Sequence, residues 1–167
     1  PPQKFMPFVI ELTFDQTRQT VIQERAFDYN GSSLTTDWNP ASTVKIFAAI
    51  GALKRIEELG FSSRAKVTFN GKKPYSTTIS ALIEAAIIQS DNIAYNRVVQ
   101  LASFEKLHTD ILTSKYGITR TALNRGYQLK DWEKMGEDPS LRVSPAITLT
   151  EGKQVVKVIV VPKKIVN

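Results

Sequence analysis

The chain contains no cysteine. This excludes disulfides, thiolate zinc sites and a cysteine nucleophile, and leaves the redox compartment open. It has a single histidine, His108. His108 lies on an amphipathic stretch with Leu107 and Ile111, and no serine and aspartate are arranged around it, so a Ser-His-Asp triad is not expected. No cluster of ligand residues points to a metal, and none is expected, nor any cofactor. No apolar run approaches the roughly 18 residues of a membrane span. Repeats and low-complexity tracts are absent. No leader peptide is visible, and Pro1-Pro2-Gln3-Lys4 suits a mature or trimmed start.

What is present is ordinary in amount. With 42% hydrophobic residues, a chain of 167 residues can bury a core as one domain spanning 1–167. The net charge is +6. The basic residues are spread along the chain, clustering only at Lys72-Lys73 and Lys163-Lys164. Without zinc-finger spacing or an aromatic RNA-binding motif, that charge reads as a solvated surface and not as a nucleic-acid footprint. It would also suit acidic cell-wall polymers. The segments richest in turn residues, and so expected to be flexible, are Asn30–Ser33, Asn70–Pro74 and Gly136–Ser140.

Two short patterns carry chemistry. The first is Ser42-x-x-Lys45, which follows an Asn39-Pro40 turn and opens an apolar run from Val44 to Leu59 that Gly60 stops. A helix apolar nearly all round belongs in a core. Lys45 is then an amine among Val44, Ile46 and Phe47, and burial disfavours its charged form, as a general base requires. The i,i+3 spacing puts it on the face of Ser42, within reach of Oγ. Taken alone, the pair reads better as a helix cap with a lysine reaching to water. The spacing recurs at Ser63/Lys66 and Ser103/Lys106, both read as surface residues.

The second pattern is Ser90-Asp91-Asn92, 48 residues after Ser42. It separates a helical run, Thr78 to Gln89, from another, Ile93 to Leu101. A polar triplet between apolar helices is also what a cap and turn look like. The two patterns together, in this order, resemble the penicillin-recognising serine enzymes, and most closely the class A β-lactamases, over roughly Phe8 to Arg125. Supporting stretches are the alternating Phe8–Phe14 and Thr20–Phe27, similar to the hairpin before the nucleophile helix, and Ala81 to Asn92, similar to the helix leading into the second motif. Thr121-Ala122-Leu123-Asn124-Arg125 resembles the start of the omega loop.

The resemblance implies an α+β fold, with a central helical region and antiparallel strands at both ends of the chain. It implies Ser42 as nucleophile, with its backbone N–H as half of an oxyanion hole. Lys45 would accept or relay its proton, and Ser90 would pass a proton to the leaving nitrogen. Asn92 would orient the substrate amide, while Asp91 would hold the loop. The expected partner is a small β-lactam or peptidoglycan-like amide, and the expected location periplasmic or secreted.

Two departures bear on turnover. The family's omega-loop glutamate, which activates the deacylating water, is here Tyr127, and a phenol with an ordinary pKa near 10 is a poor base at neutral pH. Glu133 and Glu137 lie nearby, without spacing that supports either. The family's third motif, Lys-Thr/Ser-Gly, is missing, so the chain is expected to lack the C-terminal part, including that strand and the C-terminal helix. Ala146–Thr150 and Val155–Val161 read as a hairpin around Glu151-Gly152, and the apolar strand is expected to pair with a missing segment or a partner chain. Hydrolysis of a β-lactam, penicillin-binding or D,D-peptidase-type acylation without efficient turnover, and a non-catalytic binding member all remain open on this reading.

Overall fold

The structure, a computed structural model, describes residues 8–29, 41–118, 121–123, 126–127, 144–152 and 157–159. The expected turns at Asn30–Ser33 and Gly136–Ser140, together with Glu133 and Glu137, lie outside the described residues. The fold is α+β, and the chain divides into two compact units, Pro1–Pro40 and Ala41–Asn167.

The first unit holds an antiparallel hairpin of β1 (Phe8–Phe14) and β2 (Val21–Asp28), in register from Phe8↔Asp28 to Thr13↔Gln23 with a bulge at Thr13/Phe14. Asp15 closes the turn. Its Oδ1 accepts from Thr17 Oγ1 at 2.8 Å and from the Gln19 N–H at 3.0 Å.

In the second unit a 3-10 turn, Ala41–Val44, runs into α1 (Lys45–Glu58). Gly60 ends this segment with a φ of +80°, a conformation that costs glycine little. Strands β3 (Lys66–Phe69) and β4 (Tyr75–Thr78) follow, then α2 (Ile79–Ile87) and α3 (Asn92–Ala102). Thr78 caps α2, its Oγ1 accepting from the Ala81 N–H at 3.2 Å. A single turn, α4 (Phe104–Lys106), leads into a π-helical turn at Leu107–Ile111. Strands β5 (Ile147–Thr150) and β6 (Lys157–Ile159) complete an antiparallel sheet of order β4-β3-β5-β6. The hairpin read around Glu151-Gly152 forms with Ile147↔Ile159 in register, and β6 is an edge strand among the described residues.

The core helix is α3, not α1. Every residue from Ala94 to Ala102 is buried, while α1 buries Ala48, Ala52 and Ile56 and leaves Ile46, Ile50 and Leu53 exposed on another face. Small residues on α1 set its approach: a methyl on Gly51 would overlap the tip of the Leu107 side chain, which would have to turn aside to admit it. The polar residues of α3 are partnered inside. Arg97 Nη1 donates to Gln100 Oε1 at 3.2 Å, and its guanidinium lies 4.9 Å from the Phe69 ring centroid. Val67, Phe69, Ile147 and Leu149 alternate onto the same core from the sheet. Burying a side chain such as Ile56 or Leu82 contributes roughly 1.5–3 kcal/mol.

Two expectations about surface residues change. Ser103, read as a surface residue, is buried with a φ of +65°, and its Oγ caps the next turn by accepting from the Lys106 N–H at 3.2 Å. Asn70, in a stretch read as flexible, is tied to β5: Nδ2 donates to Ala146 O at 2.9 Å and to Thr148 Oγ1 at 2.8 Å.

Candidate active site

The site grows from two helix starts. Ser42 sits exposed in the 3-10 turn, and Lys45, the first residue of α1, is 1% exposed. Between α2 and α3 the chain turns through Ser90, whose φ of +53° is unusual for a residue with a side chain and costs on the order of 1–3 kcal/mol. Asp91 then caps α3, its Oδ1 accepting from the Ala94 N–H at 2.7 Å, while its own N–H donates to Ala85 O at 3.0 Å. These bonds fix the corner that carries Ser90 and Asn92.

Lys45 reaches across to that corner. Its Nζ donates to Ser90 O at 2.6 Å, to Asn92 Oδ1 at 2.9 Å and to Ser90 Oγ at 3.1 Å. The three acceptors match the three protons of an ammonium. Ser90 Oγ in turn donates to Ser42 Oγ at 2.9 Å. Lys45 Nζ is thus linked to Ser42 Oγ through Ser90 Oγ. Burial holds the Lys45 pKa below the usual lysine value, and the nearby Asp91 carboxylate partly offsets the shift.

The remaining side of Nζ is aromatic. The Tyr127 ring centroid lies 5.1 Å away and that of Tyr95, on α3, 5.9 Å away, and the two rings meet edge to face at 5.4 Å. Tyr95 is fully buried, and burial, with the neighbouring Tyr127 phenol adding to it, pushes its hydroxyl up to about 12. A phenol raised this far offers no base at neutral pH.

Tyr127 is held by its backbone. Asn96, fully buried on α3, donates from Nδ2 to Tyr127 O at 2.7 Å and accepts on Oδ1 from the Tyr127 N–H at 2.9 Å. Further back along this segment the Leu123 N–H donates to His108 Nε2 at 3.1 Å, which fixes the tautomer with Nδ1 donating to Phe104 O at 2.7 Å.

The structure thus brings Ser42, Lys45, Ser90 and Asn92 into one bonded group, with Asp91 beneath it as a cap and Tyr127 beside Lys45. Sequence reasoning missed Tyr95, Asn96 and the tether made by His108. The available signal was spacing, since Tyr95 and Asn96 follow Asn92 by three and four positions and share its helix face. Among the described residues no group of His, Cys, Asp and Glu side chains is gathered that would hold a metal ion. No helix among them is long and apolar enough to cross a membrane.

Compared with known families, the chain matches the model described as the beta-lactamase enzyme family over residues 17–159. No curated protein and no solved structure matches it.

Proposed function

Because the chain belongs to the beta-lactamase enzyme family, we propose that it is a serine hydrolase of β-lactamase type that forms an acyl-enzyme at Ser42 with a β-lactam or a peptidoglycan-like amide. The observation that carries this is the unbroken chain from Lys45 Nζ through Ser90 Oγ to Ser42 Oγ, with links of 3.1 and 2.9 Å. In its neutral form, favoured by burial, Lys45 accepts a proton from Ser90 as Ser90 takes one from Ser42. Ser42 Oγ attacks the amide carbonyl carbon, and the Ser42 N–H at the start of the helical segment stabilises the oxyanion. The C–N bond then breaks. Ser90 gives its proton to the departing nitrogen and is reprotonated by Lys45, which returns to neutral. Asn92 Oδ1 is occupied by Lys45, which leaves Nδ2 to donate to the substrate amide. Such substrates suit a periplasmic or secreted protein.

A second reading is favoured by Tyr127. With a phenol beside Lys45 where the family's resemblance calls for a glutamate, acylation proceeds and hydrolysis of the ester is slow, as in a penicillin-binding protein. Intact-protein mass spectrometry after incubation with a penicillin tests both. An adduct that Ser42→Ala abolishes supports the acylating serine, and its persistence over hours supports the second reading. Rapid release of product with no standing adduct supports hydrolysis, and neither adduct nor product refutes both.

A further inference from the structure

Lys45 Nζ is closed off on every side the structure describes. Ser90 O, Ser90 Oγ and Asn92 Oδ1 take its three protons, two tyrosine rings stand within 6 Å of it (5.1 and 5.9 Å), and the residue is 1% exposed. A water molecule able to attack an ester on Ser42 with help from this lysine would have to sit within hydrogen-bond distance of Nζ, where these groups already stand. Resting on the acyl-enzyme reading above, we propose that Tyr95 and Tyr127 form an aromatic wall that bars water from the Lys45 side of the acyl group, with Tyr95 as the positioning residue that holds the Tyr127 ring. The wall is built from two directions. Asn96 pins the Tyr127 backbone through both its N–H and its C=O, and the Tyr95 ring, fully buried on α3, sets the Tyr127 ring by edge-to-face contact.

The consequence is a site whose acyl group is protected sterically as well as chemically. Lack of a base and lack of access are separable with hydroxylamine, which attacks an ester without needing a general base. Its nitrogen bonds to the acyl carbon, the bond to Ser42 Oγ breaks, the oxygen regains a proton, and a hydroxamate leaves.

The full chain is acylated with a penicillin, freed of excess reagent and challenged with neutral hydroxylamine, and adduct loss is followed by intact mass. The native protein should lose its adduct to hydroxylamine slowly, and rapidly once denatured. Tyr127→Ala should shorten the adduct half-life by about tenfold or more through the opened approach. Tyr95→Leu, which keeps the core filled but releases the Tyr127 ring, should shorten it by about threefold. Tyr127→Phe should restore the protected half-life, because the ring and not the hydroxyl forms the wall. General loosening of the site would instead slow acylation and shorten adduct lifetime in proportion. The wall requires lifetime to fall by more than the acylation rate. Equal hydroxylamine half-lives for the native protein and Tyr127→Ala, or failure of Tyr127→Phe to rescue, would overturn the wall while leaving the acyl-enzyme standing. Absence of any adduct on the native protein would overturn the acyl-enzyme itself and the wall with it.

Discussion

Asn96→Ala is the most revealing single change, because one side chain serves both the core and the site. The native amide makes two hydrogen bonds to one backbone residue, at 2.7 and 2.9 Å, from a fully buried position. Each such bond contributes about 0.5–1.5 kcal/mol net, and a buried backbone group left without a partner costs about 1–3 kcal/mol. If the Tyr127 segment stays in place, both its N–H and its C=O are orphaned. If it moves to find water, it abandons its packing against Tyr95 and Lys45. Either route destabilises by about 2–4 kcal/mol, since the segment takes the cheaper one. For a chain of this size that is a fall in Tm on the order of 5–15 °C. Urea unfolding of native and variant protein reads the difference directly, with the m-value unchanged. Asn96→Asp refines the test: it keeps an acceptor for the Tyr127 N–H but replaces the donor to Tyr127 O by a buried negative charge, and so is expected to be no better than alanine at neutral pH. A change below about 0.5 kcal/mol in Asn96→Ala would refute the view that this amide anchors Tyr127.

Other changes separate chemistry from stability. Lys45→Met should abolish acylation, by about a thousandfold or more, while changing stability by no more than about 1–2 kcal/mol, because a buried cation is replaced by an apolar chain of similar length; acylation rates and urea curves report the two. With the folded Lys45 pKa depressed below 10.5, the unfolded chain binds more protons between the two values, so stability should rise with pH across that alkaline window and lie flat below it. Lys45→Met should lack the rise. Acylation should climb with a midpoint below the same value as Lys45 loses its proton. On the surface, hydrogen bonds from Lys106 hold the Glu58 and Asp110 carboxyls below their usual range, so they stabilise above the unfolded carboxylate pKa and that contribution fades as pH falls through the folded one; Lys106→Ala should blunt the acid-side loss, read by unfolding at several pH values. His108→Ala deletes the bonds to Phe104 O and from the Leu123 N–H and should cost about 1–3 kcal/mol by urea unfolding, with a shorter adduct lifetime as the Tyr127 segment loosens.

Local chemistry was legible along the chain. The helices announced themselves by periodicity, Gly60 by its ordinary role at a helix end, and the first hairpin by alternation. These are properties of a residue and its near neighbours, set by backbone sterics and solvent exposure. The pair Ser42/Lys45 and the triplet Ser90-Asp91-Asn92 were equally visible, together with the oddity of an amine among apolar residues.

Contacts between distant parts of the chain were not legible. An apolar helix looked like the core, yet α3 took that place, because Asn96, Arg97 and Gln100 find partners only once Tyr127, Phe69 and the rest of α3 are around them. Spacing put Lys45 beside Ser42, but the strained Ser90 corner, 45 residues on from Lys45, captured its ammonium and became the bridge. Sequence by itself determined the local elements and the reagents of the site. Tertiary structure decided which serine touches the lysine, what closes the space around it and what holds Tyr127 there, because burial and hydrogen-bond partnership belong to the packed chain and not to any segment of it.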